Sequence, residues 1–293
     1  MTDSPSLWEL RRKSLARARK RWRSGDAEGL HDFRVALRRV AATAAALARR
    51  KLERRAEEIV RGLSSDRQGE VDRALLARIR ELGLLSEDAA TALEIRWKPA
   101  PGAANTVENG AGEKRLRRLT RKLRALEKRA PGGARNRLLV ERREAEAALA
   151  KHPGKDDDRG LHRYRLRVKR ARYLAEDLVA CGRREYEAAV ARERSAQDDL
   201  GRWNDLRLFL ERIDRERKRA ERRGAVRLAA ELEQLARSLS APLAGLRRTA
   251  ADAARRLATS FSAADRFRKP RASKREPGAE RTAPGRSSTG PVS

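Results

Sequence analysis

Two short stretches hold residue types that could grip a polyanion, at the same spacing. One is Gly29-Leu30-His31-Asp32-Phe33-Arg34-Val35-Ala36-Leu37-Arg38-Arg39. The other is Gly160-Leu161-His162-Arg163-Tyr164-Arg165-Leu166-Arg167-Val168-Lys169-Arg170, displaced by 131 positions with no gap. Two of the three histidines in the chain occupy this one equivalent position. So many matched positions predict an internal duplication. At about 100° per residue, positions i, i+3 and i+7 share a helix face. His31, Arg34 and Arg38 therefore point one way, as do His162, Arg165 and Lys169. Leu30, Phe33 and Leu37 form the adjoining apolar stripe, matched by Leu161, Tyr164 and Val168. Clustered cations repel one another and add nothing to an isolated helix. They become favourable when a polyanion lies across them, because each charged donor then makes a strong hydrogen bond to an anionic oxygen.

Each stretch needs a helix start just before it. Asp26 and Asp157 sit where an N-cap belongs. The helix N-terminus then adds its own preference for anions.

These residues carry a family resemblance. His31-Asp-Phe-Arg34-Val-Ala-Leu-Arg38-Arg39 resembles the signature helix of the CHAD domain, the conserved histidine α-helical domain. The run from His162 through Arg165, Lys169, Arg170 and Arg172 to Tyr173 resembles the equivalent helix of the second half of that domain. Downstream, Leu200-Gly201-Arg202-Trp203-Asn204-Asp205 is similar to the family's Leu-Gly-x-x-Asn-Asp segment. In the first half, Arg67-Gln68-Gly69-Glu70-Val71 stands where the family carries Arg-Asp-x-Asp-Val, so Gln68 and Glu70 degrade that motif. The resemblance covers roughly residues 6–267. It implies an all-α fold of two pseudo-symmetric antiparallel helical bundles, with a basic channel or groove between them that binds inorganic polyphosphate. It implies no catalysis by the domain. The expected contacts are His31, Arg34, Arg38 and Arg39, with His162, Arg165, Lys169, Arg170 and Arg172. Asp198 and Asp205 are expected to orient arginines toward the channel.

Composition agrees with a polyanionic partner. The formal net charge is +30 over 293 residues, far beyond what solubility requires. The basic residues are 59 Arg against 13 Lys, a bias that suits bidentate phosphate recognition and that a GC-rich coding sequence also produces. Charge alone fits nucleic acid equally well. The faces lack interleaved aromatics for base stacking, and no helix-turn-helix signature stands out. A nucleic-acid-binding basic helical protein is therefore the alternative reading, weak nonspecific nucleic-acid binding is expected beside the first reading, and a role as an accessory to polyphosphate or triphosphate metabolism is a third.

Other chemistry lacks residues to carry it. No Walker loop, dinucleotide fingerprint or His-Glu-x-x-His is present. The cations beside each histidine disfavour a divalent metal, so neither metal nor cofactor is expected. The single cysteine, Cys181, forms no intramolecular disulfide. No run approaches 18 apolar residues, so no membrane span is expected and the protein reads as cytoplasmic; association with polyphosphate granules is what the family resemblance implies.

Helical periodicity organises the rest. Helices are expected near 6–24, from the first cap to about 50, then at 52–63, 66–82 and 86–97. These make residues 1–98 the first half. The Pro-, Gly- and Asn-rich stretch 99–112 reads as a linker. Helices at 113–130 and 134–150, a second signature helix to about 180, and helices near 183–200, 203–223 and 225–260 make residues 113–267 the second half. His152 falls in a turn and is given no role. The basic tail 268–293, rich in Pro, Gly and Ser, is expected to be disordered.

Overall fold

The computed structural model describes residues 6–26, 28–98, 110–128, 134–151 and 157–268. The linker stretch 99–109, His152 and the tail from 269 lie outside the described residues. Among the described residues every long element is a helix and there is no strand, as the all-α reading requires.

The chain enters on α1 (Leu7–Arg23), where Ser6 Oγ accepts from the Glu9 N–H at 3.2 Å. Ser6 and Glu9 thus start the helix with the spacing of a capping box. The first signature helix, α2 (Gly29–Ala46), begins two residues later relative to the repeat than its counterpart does. Asp26 accepts from the Glu28 N–H at 2.9 Å and pairs with Arg21, instead of capping from the residue next to the helix. In the second copy Asp157 accepts from Gly160 N–H at 2.6 Å and caps α8 (Asp158–Ala180) as expected.

Helix α2 ends at Ala46, short of the expected residue 50. Ala48 turns left-handed at φ 53°, and the Arg49 and Ala48 N–H groups bond back to Ala44 and Ala45. That is a Schellman stop with alanine where glycine is usual. There follow α3 (Arg50–Gly62), α4 (Ser64–Glu81), α5 (Glu87–Trp97), α6 (Gly110–Glu127) and α7 (Ala134–Ala150).

Two expectations in the C-terminal part are corrected. Helix α9 (Glu187–Arg222) runs unbroken through the expected break near 200–203. One mid-helix glycine, Gly201, costs about 1 kcal/mol, and the burial of Leu200 and Trp203 on either side outweighs it. Conversely the single helix expected over 225–260 is two, α10 (Val226–Ser238) and α11 (Ser240–Arg268). Pro242 has no N–H to continue α10 but is tolerated in the first turn of α11.

Among the described residues three apolar cores hold these helices. Trp8 and Leu15 of α1, Phe33 and Leu37 of α2 and Ile59 of α3 pack with Leu116, Leu119 and Leu123 of α6. Leu138 and Leu149 of α7, Leu161 and Tyr164 of α8 and Leu200 of α9 pack with Ala254 and Leu257 of α11. Leu76 of α4 and Leu93 of α5 pack with Phe209 of α9 and Leu232 of α10. The cores therefore do not divide at residue 99: α6 completes the core of α1–α3, while α4 and α5 join α9 and α10. Each signature helix sits in a four-helix core, behind a 17-residue helix, α1 or α7. Those two helices bury arginines at the same 131-residue separation, Arg11 and Arg142.

Polar ties lock α1, α2 and α8. Arg11 pairs with Asp177, and its Nε donates to Thr43 Oγ1 at 3.2 Å. Thr43 in turn donates to Asp177 Oδ2 at 2.7 Å. Burial pushes the Arg11 guanidinium down to about 10, with Arg39 adding to the effect and Glu176 opposing it.

Candidate functional site

The apolar stripe of each signature helix faces its core. Phe33, Leu37, Leu161, Tyr164 and Val168 are all fully buried, and Trp22 stacks on Phe33 with ring centroids 5.1 Å apart. Gly29 lets α2 start against α1. A Cβ there would stand 2.5 Å from the Trp22 backbone nitrogen and Cα. With the apolar stripe fixed inward, the cationic positions are carried round to where α2 and α8 meet.

Lys169 shows what that meeting creates. It is half-buried, and its ammonium is pushed down to about 7. Burial is the largest cause, followed by the positive fields of Arg38, Arg165, Arg172 and Arg34. Two of those arginines come from α2 and two from α8, so five cations from two helices share one region. Arg165 is likewise lowered, first by burial, with Arg38 and Arg207 adding and Asp205 opposing. Asp205 thus sits within electrostatic range of Arg165, while Asp198 is exposed.

Several donors in this region are unused. Arg165 Nε, Arg172 Nε and Arg207 Nε are buried with no hydrogen-bond acceptor among the described residues. A buried, unsatisfied donor is expensive, and charged ones more so. Phosphate oxygens would satisfy them.

The remaining expected contacts are placed differently. Arg39 donates from Nε to Glu176 Oε2 at 2.7 Å, and Glu176 also lies 3.3 Å from Arg172 Nη1. Arg170 is exposed and paired with Glu141 at 2.7 Å. Both follow a site residue by one position, so about 100° of helix rotation takes each off the shared face. Arg34 is buried and His31 half-buried on α2. His162 Nδ1 lies 3.3 Å from the Asn204 side-chain oxygen, which links α8 to the Leu-Gly-x-x-Asn-Asp segment of α9.

Arg207 belongs with this group, although it was not among the expected contacts. It bonds Asn204 Oδ1 at 3.5 Å, lies 5.7 Å over the Trp203 ring and acts on Arg165. Its signal in the sequence is its place three residues after Asn204, on the same helix face.

Arg38, Lys169 and Arg170 also line an open groove of about 740 Å³ between α2–α3 and α7–α8. The groove is of mixed charge, with Arg50 and Arg61 opposed by Glu53, Glu57 and Glu141. Among the described residues no cluster of three or more histidine, cysteine or acidic side chains is arranged to hold a metal ion, and no helix is long and apolar enough to cross a membrane. What the arrangement offers is fixed positive charge with unsatisfied donors.

Comparison with known proteins agrees with the repeated stretches. No curated protein matches the chain. A family model for the CHAD domain matches residues 6–214, from the start of α1 into α9. That span is well over half of the chain and includes both histidine helices and the Asn204–Asp205 segment, so the protein belongs to the CHAD domain family.

Proposed function

We propose that this protein binds inorganic polyphosphate, without transforming it, along the face shared by α2 and α8, and that this binding associates it with polyphosphate granules in the cytoplasm. The observation that carries the reading is the convergence of Arg34, Arg38, Arg165, Lys169 and Arg172 from two helices, where burial first and the neighbouring arginines second push Lys169 down to about 7. A fold would not assemble such repulsion for stability, and a polyanion laid across it reverses its sign. The buried Nε groups of Arg165, Arg172 and Arg207 support the same reading, since a repeating phosphate chain supplies acceptors without needing base or sugar recognition. His31 and His162 flank the arginines at the start of each helix and add imidazole donors. Arg39 and Arg170, each engaged by a glutamate, act at the margins of the site.

Competition tests the reading. Labelled long-chain polyphosphate is bound at physiological salt and challenged with DNA, RNA, heparin and triphosphate at equal charge. Polyphosphate is expected to resist nucleic acid. Displacement by DNA or RNA at equal or lower concentration would replace this reading with nucleic-acid binding.

A further inference from the structure

Lys169 stands apart from the lysines on the outer faces of the protein. Lys13 and Lys218 are exposed and paired with Glu9 and Asp214. Lys169 is half-buried, opens onto the groove beside Arg38 and Tyr173, and has no acidic partner among the described residues. An amine next to fixed cations and partly withdrawn from water is a nucleophile waiting for an electrophile. The same arginines that surround it would hold a phosphate.

We propose that Lys169 is an acyl-acceptor site for acyl phosphates, the mixed anhydrides of a carboxylic acid and phosphoric acid, with Arg38 and Arg165 holding the phosphate while the amine reaches the carbonyl carbon. The step balances without any further reagent. The neutral Nζ adds to the carbonyl carbon to give a tetrahedral adduct. That adduct collapses with cleavage of the bond from the carbonyl carbon to the phosphate oxygen. Phosphate leaves with the electron pair, and the nitrogen gives up one proton to it or to water. The products are an N-acyl lysine and hydrogen phosphate.

Charge state favours the reaction here. With its ammonium pushed down to about 7, roughly half of Lys169 is amine at neutral pH. An ordinary lysine is amine in only about one molecule in a few thousand. Weaker intrinsic nucleophilicity takes back part of that advantage, which leaves an expected lead on the order of tenfold. Acylation also removes one of the five clustered charges. Resting on the polyphosphate reading, this gives the modification a consequence: weaker hold on the polymer.

The test uses the full-length protein with acetyl phosphate near neutral pH, followed by peptide mass spectrometry of every lysine. A parallel arm uses N-acetoxysuccinimide, an acetyl donor without phosphate. Lys169 is expected to acetylate on the order of tenfold faster than Lys13 and Lys218 with acetyl phosphate. Its lead is expected to shrink with the neutral donor and with added pyrophosphate. Lys169→Arg is expected to lose the fastest-reacting site while retaining its helical circular dichroism. Acetylation of Lys169 no faster than that of Lys13 and Lys218 overturns the proposal. So does an equal lead with both donors, because the phosphate then plays no part. Neither outcome depends on polyphosphate binding, which is measured separately on unmodified protein and can fail alone.

Discussion

A polyanion laid across the α2–α8 face should force a proton onto Lys169. In the unliganded protein that ammonium lies at about 7, lowered by burial and by Arg38, Arg165, Arg172 and Arg34. Bound phosphate oxygens cancel those positive fields and return the group toward its ordinary range. Binding above neutral pH therefore takes up a proton, and affinity falls as pH rises above 7. Below 7 the lysine is already charged in the unliganded protein and the dependence levels off. If the bound-state value returns to about 10, moving from about pH 6.5 to about pH 8.5 weakens binding roughly 25-fold, or about 2 kcal/mol. The assay is polyphosphate affinity at several pH values and constant ionic strength, for wild type and Lys169→Arg. Arginine keeps its charge throughout, so the variant should lose this part of the slope and out-bind wild type at about pH 8.5. Superimposable slopes would refute the linkage, and any dependence that remains in both proteins belongs to other groups.

Four further outcomes follow from particular contacts. Arg38→Ala with Arg165→Ala should weaken polyphosphate binding by several kcal/mol, at about 1.5–3 kcal/mol for each charge-assisted contact. Removing Arg281 and Arg286 from the basic tail should cost far less, and equal losses in the two double mutants would move the site elsewhere. Asp177→Ala leaves Arg11 buried without its acid and should cost about 3–5 kcal/mol in denaturant unfolding. Ala48→Gly relieves the left-handed turn after α2 and should stabilise by about 1 kcal/mol, read as a higher melting temperature. Gly29→Ala drives a Cβ into the Trp22 backbone and should destabilise by about 1–3 kcal/mol or more, with the α1–α2 packing the first to loosen on hydrogen exchange.

The sequence was most legible where periodicity was strongest. Phe33, Leu37, Tyr164 and Val168 could be assigned inward, and Arg34, Arg38, Arg165 and Lys169 to one face each, from spacing alone. The rotation that carries Arg39 to Glu176 and Arg170 to Glu141 was also implicit in that spacing, but the acids that receive them come from distant sequence. The state of Lys169 was not legible, because it depends first on how deeply packing buries the side chain and then on Arg34 and Arg38 approaching from another helix. Gly201 and Pro242 act in opposite directions on the expected helices. Local propensity overstates the effect of a glycine flanked by buried Leu200 and Trp203, whereas Pro242 divides a strongly periodic run into α10 and α11. The exchange of helices across residue 99 could not be read locally, since the apolar stripe of α6 does not say which bundle it will cover.

Helix α9 has one more consequence. At 36 residues it is about 54 Å long. Its first part, with Ala196, Leu200 and Trp203, is gripped by the core of α7, α8 and α11. Its later part, with Leu206, Phe209 and Ile213, is gripped by α4, α5 and α10. Asn204, Asp205 and Arg207 fall at the handover, so they ride on a beam clamped at both ends. Neither clamp can let the segment twist without breaking the other's packing, and the donors near His162 and Arg165 inherit that stiffness. The helix should accept substitutions between Gly201 and Arg207 far more readily than a single inserted residue. An insertion would throw the two gripped stripes about 100° out of phase, and no side-chain rearrangement could satisfy both cores again.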